Sequence, residues 1–107
     1  MFFDNQKYFE FVAKCRAAGI TVPIIPGLKP IATKKQLNLI PHRFSIELPD
    51  ALIMEVVKAK DNEAVKQIGI EWCTQQSKEL VAAGIPVLHY YSMGKAENVK
   101  AIAKDIF

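Results

Sequence analysis

Cysteine is scarce, glycine is sparse, and no apolar run is long. The two cysteines, Cys15 and Cys73, lie far apart in stretches of helical character. They match neither a metal-ligand spacing nor a small disulfide framework, and they read as buried free thiols of a reducing, cytoplasmic chain. The five glycines form no phosphate-cradling loop and no dinucleotide fingerprint. No segment approaches the ~20 apolar residues of a membrane span. The first residues have neither the basic region nor the apolar stretch of a signal peptide. Charge of one sign is also missing. Fourteen Lys and Arg against eleven Asp and Glu leave +3, and the basic residues are scattered, which argues against a nucleic-acid partner. What remains is 107 residues, half of them hydrophobic, enough for one core and too few for two.

The pattern of those residues is a repeated grammar. Asp4 is placed to cap a helix that starts at Asn5, with Tyr8, Phe9, Phe11, Val12 and Cys15 on its apolar side. Gly19 supplies a left-handed stop, and residues 21–25, with Val22, Ile24 and Ile25, read as a buried strand closed by Pro26-Gly27. Ala82-Ala83-Gly84-Ile85-Pro86-Val87 then echoes Ala17-Ala18-Gly19-Ile20-Thr21-Val22. A helix over residues 63–83 precedes it, with Val65, Ile68, Trp72, Cys73, Gln76 and Leu80 on one stripe and Gly69 leaving room for a close neighbour. A strand over residues 87–91 follows, then a last helix buried through Val99, Ile102, Ala103 and Ile106. Met1-Phe2-Phe3 resembles the end of a further strand.

The middle is less regular. Thr33 and Gln36 form a capping-box pair opening a short helix that Pro41 ends. Phe44, Ile46 and Leu48 alternate as a strand would, and Pro49 starts a helix buried through Leu52, Ile53, Val56 and Val57. Helix, tight loop, buried strand and helix again is a parallel α/β layout, with strands covered on both faces. Two full strands and one truncated one make a poor doubly wound sheet and a good arc of a larger barrel.

Chemistry in such folds collects after the C-terminal ends of strands, which selects Asp4, Lys29, Gln36, Tyr91, Ser92 and Lys95. Asp4 reads as an N-cap and Lys29 as a solvated loop lysine. Gln36 has two readings: its amide can reach back to the cap, or it can meet a polar ring edge as donor and acceptor at once. Gly94-Lys95 at a helix start could hold an anion. His89, mid-strand, reads as a hydrogen-bonded core histidine, and His42 has no evident partner. No nucleophile-plus-base pair, carboxylate dyad or dinucleotide motif is visible.

Met1-Phe2-Phe3-Asp4, then Ile24-Ile25-Pro26-Gly27-Leu28 with Pro30, then His89-Tyr90-Tyr91-Ser92-Met93-Gly94-Lys95-Ala96, in this order and spacing, resemble the C-terminal part of the 5,10-methylenetetrahydrofolate reductases. The resemblance implies a flavin-dependent TIM (β/α)8 barrel, of which residues 1–107 would be a single partial α/β domain of about three β/α units. It implies FAD-dependent, NAD(P)H-driven reduction of 5,10-methylenetetrahydrofolate to 5-methyltetrahydrofolate in one-carbon metabolism. Gln36 matches a folate-contacting glutamine. Lys95 falls where many members carry a folate-contacting arginine and lacks its planar fork. Ile40 matches a position that is aromatic in some members, and Tyr91 stands at the matching strand end. The resemblance also makes residues 44–48 a connector rather than a strand.

The family's catalytic carboxylates and FAD-binding residues belong to strands upstream of these segments. The expectation is therefore no catalytic, cofactor or metal residue here, no FAD or NAD(P)H held by this chain alone, and no turnover by it alone. Its expected partners are the folate substrate and the remainder of the barrel or a second copy, with no nucleic acid and no membrane. The alternative is a stand-alone, non-catalytic α/β module that binds an anionic metabolite or a protein partner at the Gly94-Lys95 rim.

Overall fold

A computed structural model describes residues 1–44, 48–91 and 97–106 of the chain. In order these form α1 (Asn5–Ala17), β1 (Gly27–Leu28), α2 (Gln36–Phe44), α3 (Asp50–Lys58), α4 (Asn62–Ala82), β2 (His89–Tyr90) and α5 (Glu97–Ile106). The helix ends follow from local chemistry. The Asp4 carboxylate accepts from the Gln6 N–H at 3.0 Å and the Asp61 carboxylate from the Ala64 N–H at 2.9 Å, satisfying backbone donors that a helix start leaves unpaired. Gly19 and Gly84 close α1 and α4 with φ of +87° and +86°. The next N–H in each case, of Ile20 or Ile85, reaches back to the Cys15 or Leu80 carbonyl at 3.0 and 3.1 Å, the six-to-one bond of a glycine-terminated helix. The repeated Ala-Ala-Gly is a repeated stop signal.

The strands are shorter and later than the sequence pattern predicts. β1 and β2 pair in parallel, Gly27 with His89 and Leu28 with Tyr90, through bonds from the His89 N–H to the Pro26 carbonyl (3.0 Å) and from the Tyr91 N–H to the Leu28 carbonyl (2.8 Å). Residues 21–25 are outside this ladder, and Val22 and Ile25 are 62% and 55% exposed rather than buried. One cause is competition. The Tyr8 hydroxyl donates to the Ile24 carbonyl at 2.6 Å, and Arg16 Nη1 donates to the Ile20 and Val22 carbonyls at 2.8 and 2.9 Å. The other cause is proline. In this register the Val87 and Tyr91 carbonyls face residues 26 and 30, and both are prolines without an N–H. Pro26 and Pro30 therefore bracket the ladder, and Val87 stays exposed beside it.

Residues 1–3 form no strand either. Their outgoing carbonyls are taken by α4: Trp72 Nε1 donates to the Phe3 carbonyl at 2.8 Å and Gln76 Nε2 to the Phe2 carbonyl at 3.3 Å. The expectation of strands covered on both faces is also corrected. Leu28, Ile24, Leu88 and Tyr90 pack toward the helices, whereas Ile25, Val87, His89 and Tyr91 lie exposed on the opposite face.

Two apolar clusters hold the helices. Phe3, Ile31, Ile40, Leu52, Val56 and Val65 form one. Tyr8, Leu28, Cys73, Leu80 and Ile102 form the other. α4 contributes to both, which explains its broad stripe. Some expected contacts fail: Phe11 of α1 and Val57 of α3 are exposed. α2 starts at Gln36 and runs through Pro41 instead of ending there, with Ile40 as its buried anchor. Phe44 closes α2, so the strand alternative for residues 44–48 fails at its first residue; residues 45–47 lie outside the described residues.

Candidate functional site

Parallel pairing sends the chain out of β1 and β2 at the same end of the sheet, and the expected site residues follow those exits. Gln36 comes first. Its Oε1 accepts from the Ala32 N–H at 2.7 Å, one residue before the Thr33 cap that the sequence favours, while its own N–H reaches the Thr33 carbonyl at 3.2 Å. The side chain thus folds back on the loop that leads into α2. Its Nε2 donates to no protein group among the described residues.

Tyr91 stands at the other exit, 36% exposed. Its ring lies across Gly27, so close that a β-carbon there would sit 2.6 Å from Cε2. The His89 ring meets it edge-on, with centroids 4.7 Å apart and planes at 76°. His89 is exposed, which corrects its reading as a core histidine; alternation puts it on the uncovered face with Tyr91.

Lys29 departs most from expectation. It follows β1 directly and is only 9% exposed, so it is not a solvated loop lysine. Burial pushes its ammonium below the ordinary lysine value. Ile40 is 3% exposed and packs with Phe3, Leu52 and Val65 in the first cluster. Asp4 is the α1 cap, and His42 falls within α2. Ser92, Gly94 and Lys95 lie outside the described residues.

Gln36 and Tyr91 thus lie on the segments leaving two parallel strands, while Lys29, directly after β1, borders a small cavity with Phe3, Ile31, Leu52, Gly69 and Trp72. Such groups recognise a polar or anionic ligand edge. They contain no nucleophile with a base beside it. Among the described residues no cluster of His, Cys, Asp or Glu is arranged to hold a metal ion, and no helix is long and apolar enough to cross a membrane.

Sequence reasoning missed two features. Gly27 reads as a strand terminator but serves as the seat of the Tyr91 ring, a role visible only once the register is known. The second is a buried polar network: Asn5 Nδ2 donates to the Gln76 carbonyl (3.1 Å) and to Glu79 Oε2 (2.8 Å), and Gln76 Nε2 donates to Asn5 Oδ1 (3.1 Å). Its signal was present, since Gln76 is a polar residue on an apolar stripe.

Comparison with protein families matches residues 1–106 to the family described as methylenetetrahydrofolate reductase. The chain belongs to the methylenetetrahydrofolate reductase family. Among individual proteins, it is 32% identical over 99% of its length to a probable methylenetetrahydrofolate reductase (NADPH) of Caenorhabditis elegans, covering 16% of that protein. It is 36% identical over 99% of its length to methylenetetrahydrofolate reductase (NADH) 1 of Arabidopsis thaliana, covering 18% of it. The 5,10-methylenetetrahydrofolate reductase of Escherichia coli is 31% identical over 98% of the chain, which covers 36% of that protein. The chain thus spans about a sixth to a third of the length of these relatives.

Proposed function

We propose that this chain supplies the folate side of a methylenetetrahydrofolate reductase, within a (β/α)8 barrel that uses FAD to pass hydride from NAD(P)H to 5,10-methylenetetrahydrofolate and releases 5-methyltetrahydrofolate. Family membership over residues 1–106 supports the activity class. The observation that carries the site is the parallel pairing of β1 with β2, which sends the segments bearing Gln36 and Tyr91 out of one end of the sheet, where barrels of this kind place their chemistry.

In this reading Gln36 is orientated through Oε1 by the Ala32 N–H, and its Nε2 donates to an acceptor on the pterin edge. Tyr91, seated on Gly27, lines the pocket. Lys95, outside the described residues, is proposed as a further folate contact on the strength of the family resemblance. Ile40 supports the loop from below, through the core, rather than by touching the ligand. FAD supplies the redox chemistry of the complete enzyme. In this reading the residues that hold FAD and NAD(P)H lie in the remainder of the barrel. The exposed face of Ile25, Val87, His89 and Tyr91 is where the remainder of the barrel packs. By itself the chain is inactive.

The test is a split of half-reactions in a complete reductase carrying these 107 residues. Gln36→Ala raises KM for methylenetetrahydrofolate about ten-fold or more, the size expected for one lost hydrogen bond to a buried polar edge, and leaves NAD(P)H oxidation with an artificial electron acceptor unchanged. Equal loss in both half-reactions would contradict the assignment.

A further inference from the structure

One cavity plays no part in the folate reading. It opens between the start of α1 and the middle of α4 and holds about 420 Å³, within the usual range of small-molecule sites. Phe3, Phe9 and Trp72 give it aromatic walls, and Asp4 and Glu79 bring two carboxylates to it. No basic side chain lines it among the described residues. Gln76 also lines it and is buried. Its Nε2 is committed to the Phe2 carbonyl and Asn5 Oδ1, whereas its Oε1 is a buried acceptor without a partner, a rare state in folded proteins.

These features agree on one chemistry. Aromatic faces attract cations, and two carboxylates repel anions and favour a positive group. The indole N–H of Trp72 is already bound to the Phe3 carbonyl, so the ring has a fixed position. Neither carboxylate is used up: Asp4 accepts one backbone N–H through Oδ1 and Glu79 one amide N–H through Oε2. We infer that this cavity binds a small organic cation, a protonated primary amine on an aromatic or branched apolar body, through residues other than Gln36 and Tyr91.

Trp72 is the chain's single tryptophan and lines the cavity, so its fluorescence reads occupancy directly. The probe is benzylammonium, with benzyl alcohol and benzoate as neutral and anionic counterparts of the same ring. Benzylammonium is expected to give a saturable change in Trp72 emission at millimolar concentrations and to raise Tm, while the other two do neither. The double variant Asp4→Asn with Glu79→Gln removes both charges but keeps a good N-cap and an acceptor for Asn5. Its apparent affinity for benzylammonium is expected to fall about ten-fold, as two partly exposed charges are lost, with the thermal transition of the unliganded chain unchanged. Equal responses to benzoate or benzyl alcohol would overturn the inference. So would undiminished affinity in the double variant, or no saturable response by either emission or Tm.

Discussion

Gly69 of α4 lies against the backbone of Ile31, so near that a β-carbon at Gly69 would overlap the Ile31 carbonyl oxygen. The obstacle is main chain in a buried loop and cannot step aside as a flexible side chain would. Gly69→Ala, which on helix propensity alone would stabilise α4 by ~1 kcal/mol, is therefore expected to cost about 3 kcal/mol or more. Urea denaturation of the two proteins measures it. A neutral or stabilising effect would mean that the loop carrying Ile31 is not held against α4.

Gly27 and Tyr91 offer a softer version of the same conflict. A methyl group at Gly27 meets the far end of an exposed tyrosine ring, which can rotate away. Gly27→Ala is expected to cost about 1 kcal/mol and to lose most of that cost in a Tyr91→Ala background. A double-mutant cycle reads the coupling. If Tyr91 lines the folate pocket as proposed, steady-state kinetics of a complete reductase carrying Gly27→Ala is expected to show a raised folate KM.

Cys73 illustrates burial acting on reactivity. Desolvation pushes its thiol up to about 12, with the Ser77 hydrogen bond opposing part of the rise. At pH 8 its thiolate fraction is on the order of one in ten thousand. A disulfide reagent such as Ellman's is expected to modify the half-buried Cys15 in the native chain and to reach Cys73 only on unfolding. Comparing Cys15→Ser with the unaltered chain separates the two thiols, and fast modification of Cys73 in the native state would contradict its placement.

Lys66 of α4 and Glu97 of α5 are joined at 2.7 Å. The hydrogen bond from Lys66 holds Glu97 below its ordinary value, and the same bond raises Lys66. The signs follow from linkage. The Glu97 contribution is present above the ordinary carboxylate value and is lost as pH falls through the lowered one. The Lys66 contribution is present below the ordinary lysine value and is lost as pH rises through the raised one. Protection factors for amide exchange in α5, taken against the intrinsic rate at each pH, are thus expected to fall on acidification, modestly because the pair is exposed, and Glu97→Gln is expected to flatten that dependence.

The helices were largely legible in the sequence because their signals are local. Asp4 sits where a cap must sit, Gly19 and Gly84 stop α1 and α4, and the stripe through Val65, Cys73 and Leu80 fixes the buried side of α4; the Asp61 cap of α4 was missed. The strands were not, because a ladder depends on what the partner offers. Val22 and Ile25 look like core, yet Tyr8 and Arg16 bind the carbonyls around them and Pro26 and Pro30 withhold N–H groups from β2. At the candidate site, the fold-back of Gln36 onto its own loop is one of the two readings its sequence offers, but the partner is Ala32 rather than Thr33. The burial of Lys29 has no sequence signal, since it arises from the packing of the loop after β1.

The most direct measurement is a titration of the purified 107-residue chain with FAD, followed by flavin fluorescence and visible absorption, with and without a co-expressed upstream barrel segment from a relative. The expected result is no binding by the chain alone. Stoichiometric flavin binding and methylenetetrahydrofolate-dependent reoxidation are expected once the upstream segment is present. Stoichiometric FAD binding or folate reduction by the chain alone would contradict the proposed role as the folate side of a larger barrel.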